Sequence, residues 1–170
     1  MLPTDTVYGL AAAANDEAAV RELSRVKDRD ESTPIALVAT SVDVLLELVP
    51  ELRDDEAVLR QLLPGPYTLV FQNPAHRYAW LSPETIGVRV PELTGDAKAT
   101  LAEVGAVAAT SANLHGGPDP RTLADVPEDI RSACAALVDG GELPGTASTV
   151  IDFTGDEPRV LRQGAGPWPR

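Results

Sequence analysis

The chain has 170 residues, of which 44% are apolar and 24% charged, a balance that fits one folded domain and excludes general disorder. Only 4% are aromatic, so the core must be built from Ala, Val, Leu and Ile. Fourteen Lys and Arg against 26 Asp and Glu give a net charge of −12, without the basic excess that extended phosphate-backbone binders carry.

Short apolar runs alternate with amphipathic stretches, with no repeat and no Gly/Ser/Pro linker between them. Ala19, Val20, Leu23 and Val26 predict a helix over 16–27, capped by Asn15. Residues 34–39 (PIALVA) read as a buried strand, and 41–48 as a helix capped by Ser41. A helix over 55–63 stops at Leu63-Pro64-Gly65-Pro66. Strands follow at 67–71 and 86–90, then a helix at 96–104, an apolar strand at 106–110 and a helix at 127–138. Residues 148–153 and 158–162 form a hairpin around Thr154-Gly155-Asp156. The expectation is an α/β domain with a mixed sheet.

Four segments carry more polar chemistry than a fold requires. In Pro3-Thr4-Asp5-Thr6-Val7-Tyr8-Gly9-Leu10, extended geometry places Thr4, Thr6 and Tyr8 on one face, either a hydroxyl row for a small polar ligand or an ordinary strand edge. Lys27-Asp28-Arg29 is either a phosphate clamp or a helix end complementing its dipole; Lys27 and Lys98 are the two lysines of the chain. Thr110-Ser111-Ala112-Asn113 ends a strand, where α/β proteins place ligand contacts, and reads equally as a turn. Ala147-Ser148-Thr149-Val150-Ile151-Asp152 and Arg162-Gln163-Gly164 are a polar-edged hairpin.

There is no GxxxxGK[ST] loop, no GxGxxG and no GxSxG elbow. His76 and His115 lack a second histidine at metal-ligand spacing and read as surface residues, and Cys134 reads as a small core residue on the helix 127–138. One cysteine precludes an internal disulfide framework. No membrane span of roughly 18 apolar residues and no secretory leader pattern is visible, so a cytoplasmic location is expected.

In order, PTDTVYGL, Lys27-x-Arg29 with Pro34 beyond, Pro64-Gly65-Pro66-Tyr67-Thr68-Leu69, Gly87-Val88-Arg89-Val90-Pro91, Ser111-Ala112-Asn113, Ser148-Thr149-Val150-Ile151-Asp152 and Leu161-Arg162 resemble the YrdC/Sua5 family. The resemblance runs from Pro3 to about Gly164. It implies a twisted mixed sheet with helices packed around it and a concave ligand-binding face. It further implies synthesis of threonylcarbamoyl-AMP from L-threonine, bicarbonate and ATP with Mg²⁺. That product feeds a tRNA threonylcarbamoyl transferase complex that modifies tRNA position 37. By resemblance Lys27 and Arg29 hold the triphosphate and act catalytically, while Ser111, Asn113 and Arg162 bind the nucleotide. Thr4, Thr6 and Tyr8 line the threonine pocket, and Arg89 and Ser148 take the amino acid's carboxylate.

The chain departs from the family pattern in three places. Members carry a helix and a strand ahead of the octet, and here a single domain over 1–170 is expected without them; a lost strand would leave unpaired backbone and bare apolar surface. Asp28 and Asp30 stand where glycine and proline are common, and His115 stands where serine is. Two other readings stay open: a double-stranded RNA-binding module, which the net charge opposes, and a paralogous carbamoyl-adenylate-forming enzyme with another acceptor.

Overall fold

A computed structural model describes residues 1–168. In chain order the elements are β1 (Leu2–Pro3), β2 (Tyr8–Ala13), α1 (Glu17–Val26), β3 (Ala36–Ala39), α2 (Val42–Leu48), α3 (Glu56–Leu62), β4 (Tyr67–Gln72), β5 (Thr85–Arg89), α4 (Gly95–Val104), β6 (Ala106–Ser111), α5 (Glu128–Ser132), β7 (Thr149–Asp152) and β8 (Arg159–Arg162). A 3₁₀ turn over Pro50–Asp55 joins α2 to α3. The eight strands form one mixed sheet in the order β1-β2-β6-β3-β5-β4-β7-β8. The β3–β5 and β4–β7 pairs are parallel and the others antiparallel.

Strand alternation sorts the sheet into two unlike faces. Leu37, Leu69, Ile86, Val88, Ala108 and Ile151 point to one side, where Val20 and Leu23 of α1, Leu45 of α2, Leu59 of α3 and Ile130 of α5 close the main core. Full burial of each such side chain contributes about 1.5–3 kcal/mol. Their neighbours Val38 and Val107 point to the other side, where Leu101 of α4 covers them in a small second cluster. The rest of that face stays open as a cavity.

The cap of α1 is a correction: Asp16, not Asn15, accepts the N–H of Ala19 at its Oδ1, 3.0 Å away. Ser41 caps α2 as expected. The predicted helix over 127–138 is shorter, ending at Ser132. The chain beyond it pairs with distant backbone instead: Val138 N–H donates to Met1 C=O and Gly145 N–H to Thr6 C=O. Cys134 therefore lies past the helix, partly buried against the core.

Candidate active site

At the end of α1 the backbone N–H of Asp28 donates to Arg25 C=O and that of Arg29 to Ser24 C=O. This is the paired closure of a Schellman turn, whose left-handed residue is Asp28 at φ 49°. Lys27 just before the reversal and Arg29 just after it both line the open face of the sheet. Lys27 is 3% exposed, and its Nζ donates to Ser111 C=O and, at 3.1 Å, to Asn113 Oδ1. Ser111 Oγ donates to the same Asn113 Oδ1, and Asn113 Nδ2 donates to Gly117 C=O, both at 2.6 Å. Arg29 donates to Thr110 Oγ1 (3.0 Å) and Pro34 C=O (2.7 Å). The structure thus gathers Lys27, Arg29, Ser111 and Asn113 into one corner.

Many of the arginines elsewhere are paired with carboxylates, as Arg21 is with Glu17 and Arg77 with Glu51. Lys27 and Arg29 are held by neutral oxygens, so their charge is left for an incoming anion. Burial pulls Lys27 down to about 8, with repulsion from Arg29 adding to the effect and Asp119 opposing it. Burial also lowers Arg29.

The second corner is built on β5 and β7. Arg89, 11% exposed at its side chain, donates from Nη2 to Asp5 Oδ1 and to Thr6 Oγ1 (2.7 Å), and lies 3.5 Å from Thr4 Oγ1. Its Nε is buried with no hydrogen-bond partner. An unmet buried donor is costly, and an added acceptor would relieve it. Ser148 Oγ sits 2.9 Å from Thr68 Oγ1, and Arg162 donates to both the carbonyl and the hydroxyl of Ser148. Asp5, in the β1–β2 connection, meets Arg89 across the intervening strands β6 and β3.

Both corners open into one cavity of about 650 Å³, within the range of small-ligand sites. Lys27, Arg29, Arg89 and Arg162 line it against Asp119 and Asp152, so a protein of net charge −12 presents a locally cationic hollow.

One expected arrangement does not hold. Thr4, Thr6 and Tyr8 do not share an extended face, because Thr4 Oγ1 donates to Val7 C=O and accepts the N–H groups of Thr6 and Val7, folding residues 4–7 into a turn. Thr4 lines the cavity, and Thr6 is fully buried behind it against Arg89. Tyr8 turns away into the main core, where its hydroxyl donates to Gly141 C=O (2.8 Å), lies 3.1 Å from Asp139 and accepts the Gly140 N–H. Burial raises its phenol above the ordinary value. Tyr8 is a fold residue, not a wall of the cavity.

Sequence reasoning gave no site role to Asp5, Thr68 and Thr110, although it singled out the segments that hold them, and it did not reach Asp119. Strand alternation from Val70 to Thr68 could have found Thr68; nothing local to Asp119 points to the clamp.

An open mixed sheet whose hollow face sets cations held by neutral oxygens opposite a hydroxyl-buttressed arginine defines an α/β domain for small anionic ligands. The family model Sua5_yciO_yrdC, described as "Telomere recombination", matches residues 1–164, and the chain belongs to that family. It is 36% identical over 169 residues to a threonylcarbamoyl-AMP synthase of Pyrococcus abyssi, covering 97% of this chain and 50% of the relative. It is 32% identical over 162 residues to the Homo sapiens threonylcarbamoyl-AMP synthase, covering 90% and 57%. The chain thus spans about half the length of these curated relatives. A crystal structure of P. abyssi Sua5 complexed with L-threonine superposes with a TM-score of 0.82 at 35% identity, covering 95% of this chain and 49% of that one. Escherichia coli YciO superposes at 0.75 with 26% identity, covering 98% and 82%.

Proposed function

We propose that this cavity binds ATP and L-threonine and, with bicarbonate, makes L-threonylcarbamoyladenylate and pyrophosphate, the activated group for threonylcarbamoylation of tRNA. The observation that carries the reading is the pairing, inside one hollow, of the Lys27–Arg29 clamp, held by neutral oxygens, with the Arg89–Ser148 corner.

Threonine's amine attacks the bicarbonate carbon and water leaves, giving a carbamate. A carbamate oxygen then attacks the α-phosphorus of ATP in line and pyrophosphate departs. No protein nucleophile takes part, so positioning and charge neutralisation dominate. Lys27 and Arg29 spread the negative charge that builds on the departing pyrophosphate. Ser111 and Asn113 orient the phosphates, and Arg162 steadies the nucleotide from β8. Arg89 takes the threonine carboxylate, its unmet Nε–H supplying one donor. Ser148 completes that pocket, Thr4 bounds it, and Thr6 acts only through Arg89.

Mg²⁺ would arrive on the nucleotide, held by phosphate oxygens and water, and would neutralise phosphate charge. The side chains present fit that mode: among the described residues no cluster of three His, Cys, Asp or Glu offers an all-protein site, and Asp119 stands beside the clamp. Among the described residues no helix is long and apolar enough to cross a membrane.

The test is pyrophosphate release from ATP. It should require threonine and bicarbonate together; equal release with serine, or without bicarbonate, would assign the chain to a different acceptor.

A further inference from the structure

The floor between the two corners is bare. Across the sheet, Ala11 pairs with Ala109, Ala109 with Ala36, Ala36 lies beside Gly87, and Gly87 pairs with Val70. Two residues along β6 from Ala109 is Ser111 of the clamp. Two residues along β5 from Gly87, in the opposite direction across the sheet, is Arg89. Each step is roughly 6.6 Å. The low row of the floor therefore runs between the place proposed for the phosphates and the place proposed for the carboxylate.

Gly87 has no structural reason to be glycine. A Cβ built on it would lie 3.7 Å from Thr68 Cγ2 and 3.9 Å from Ala36 Cα, ordinary contact distances, and its backbone is not left-handed. Glycine within a strand is less stable than alanine, and one that serves neither a bulge nor a crowded contact marks close approach of a ligand. Arg89, two positions along the same strand face, lines the same cavity and carries a buried, unpartnered Nε–H, a second feature of this strand that a ligand would satisfy.

We infer that Gly87 is a positioning residue: it is kept without a side chain so that the two substrates can meet over β5. This rests on the function proposed above. The threonine nitrogen, carboxylated and directed from Arg89 towards the clamp, passes directly over the Gly87 backbone. A methyl there would leave both anchors intact and lift the junction out of line.

The experiment compares wild type and Gly87→Ala by calorimetry with a non-hydrolysable ATP analogue, with L-threonine, and with each added to the protein saturated in the other, beside melting curves and pyrophosphate release. The expected variant melts at the same or a higher temperature and binds each ligand alone within about threefold of wild type. Its affinity for the second ligand falls at least tenfold and its turnover falls about 100-fold, the cost of a small misplacement of reacting groups. Undiminished turnover, a lower melting temperature, or a tenfold loss for one ligand alone would each overturn the inference. Wild-type protein that binds neither ligand would instead sink the proposed function, and this inference with it.

Discussion

Lys27 Nζ and Asn113 Oδ1, 86 positions apart in sequence, lie 3.1 Å from each other in the wall of the cavity. That contact joins the turn after α1 to the end of β6 and makes two short motifs into one anion site.

Loss of either clamp cation should cripple turnover without unfolding the chain. Lys27→Ala and Arg29→Ala should each lower kcat/KM for ATP by roughly 10²–10³-fold, the scale of removing one donor to developing charge. Circular dichroism and melting curves check that the fold persists.

Nucleotide affinity should fall in mild alkali. Lys27 loses its proton near pH 8 in the folded protein, against an ordinary value of 10.5. The Kd for an ATP analogue should be flat below that point and weaken above it by at most about tenfold per pH unit. Between these two values the unfolded chain binds the proton that the folded one has released, so the Lys27 contribution to stability rises with pH in the same window. Lys27→Arg should abolish the inflection in Kd.

The turn behind the clamp is strained by its residue. Asp28 at φ 49° occupies a conformation that glycine adopts freely and that costs other residues about 1–2 kcal/mol. Asp28→Gly should hold or raise stability by up to about 1 kcal/mol, and Asp28→Val should lower it by a similar amount, read from urea denaturation.

Tyr8→Phe separates the fold from the site. It removes the hydroxyl that joins the Gly140 N–H and Gly141 C=O, both on exposed residues, which should cost about 0.5–1.5 kcal/mol in urea denaturation. The KM for threonine should stay within about twofold of wild type.

Most of the sheet was legible because its strands are apolar runs with alternating burial: 67–71 and 86–90 match β4 and β5 within a residue. Helix α2 was legible from Ser41 and its apolar spacing. Two readings failed, one to distant backbone groups and one to a local hydroxyl, and the alanine-rich β2 was not read as a strand. Leu137 keeps helical spacing with Ile130 and Cys134, yet Val138 pairs with Met1 and the helix ends early. The Thr4-Thr6-Tyr8 alternation fails because one hydroxyl closes a turn and reverses the side on which Tyr8 emerges. In the site, the motifs containing Lys27, Arg29, Ser111 and Asn113 were readable as polar segments. Their convergence, and the Asp5–Arg89 pair, depend on a sheet order that no local spacing encodes.

The most direct measurement is mass spectrometry of the nucleotide products after incubation with ATP, L-threonine and ¹³C-bicarbonate. The account predicts an adenylate bearing threonine and a single heavy carbon, absent in the Lys27→Ala and Arg29→Ala proteins. An adenylate without that carbon, or the labelled adduct formed at full rate by both variants, would contradict it.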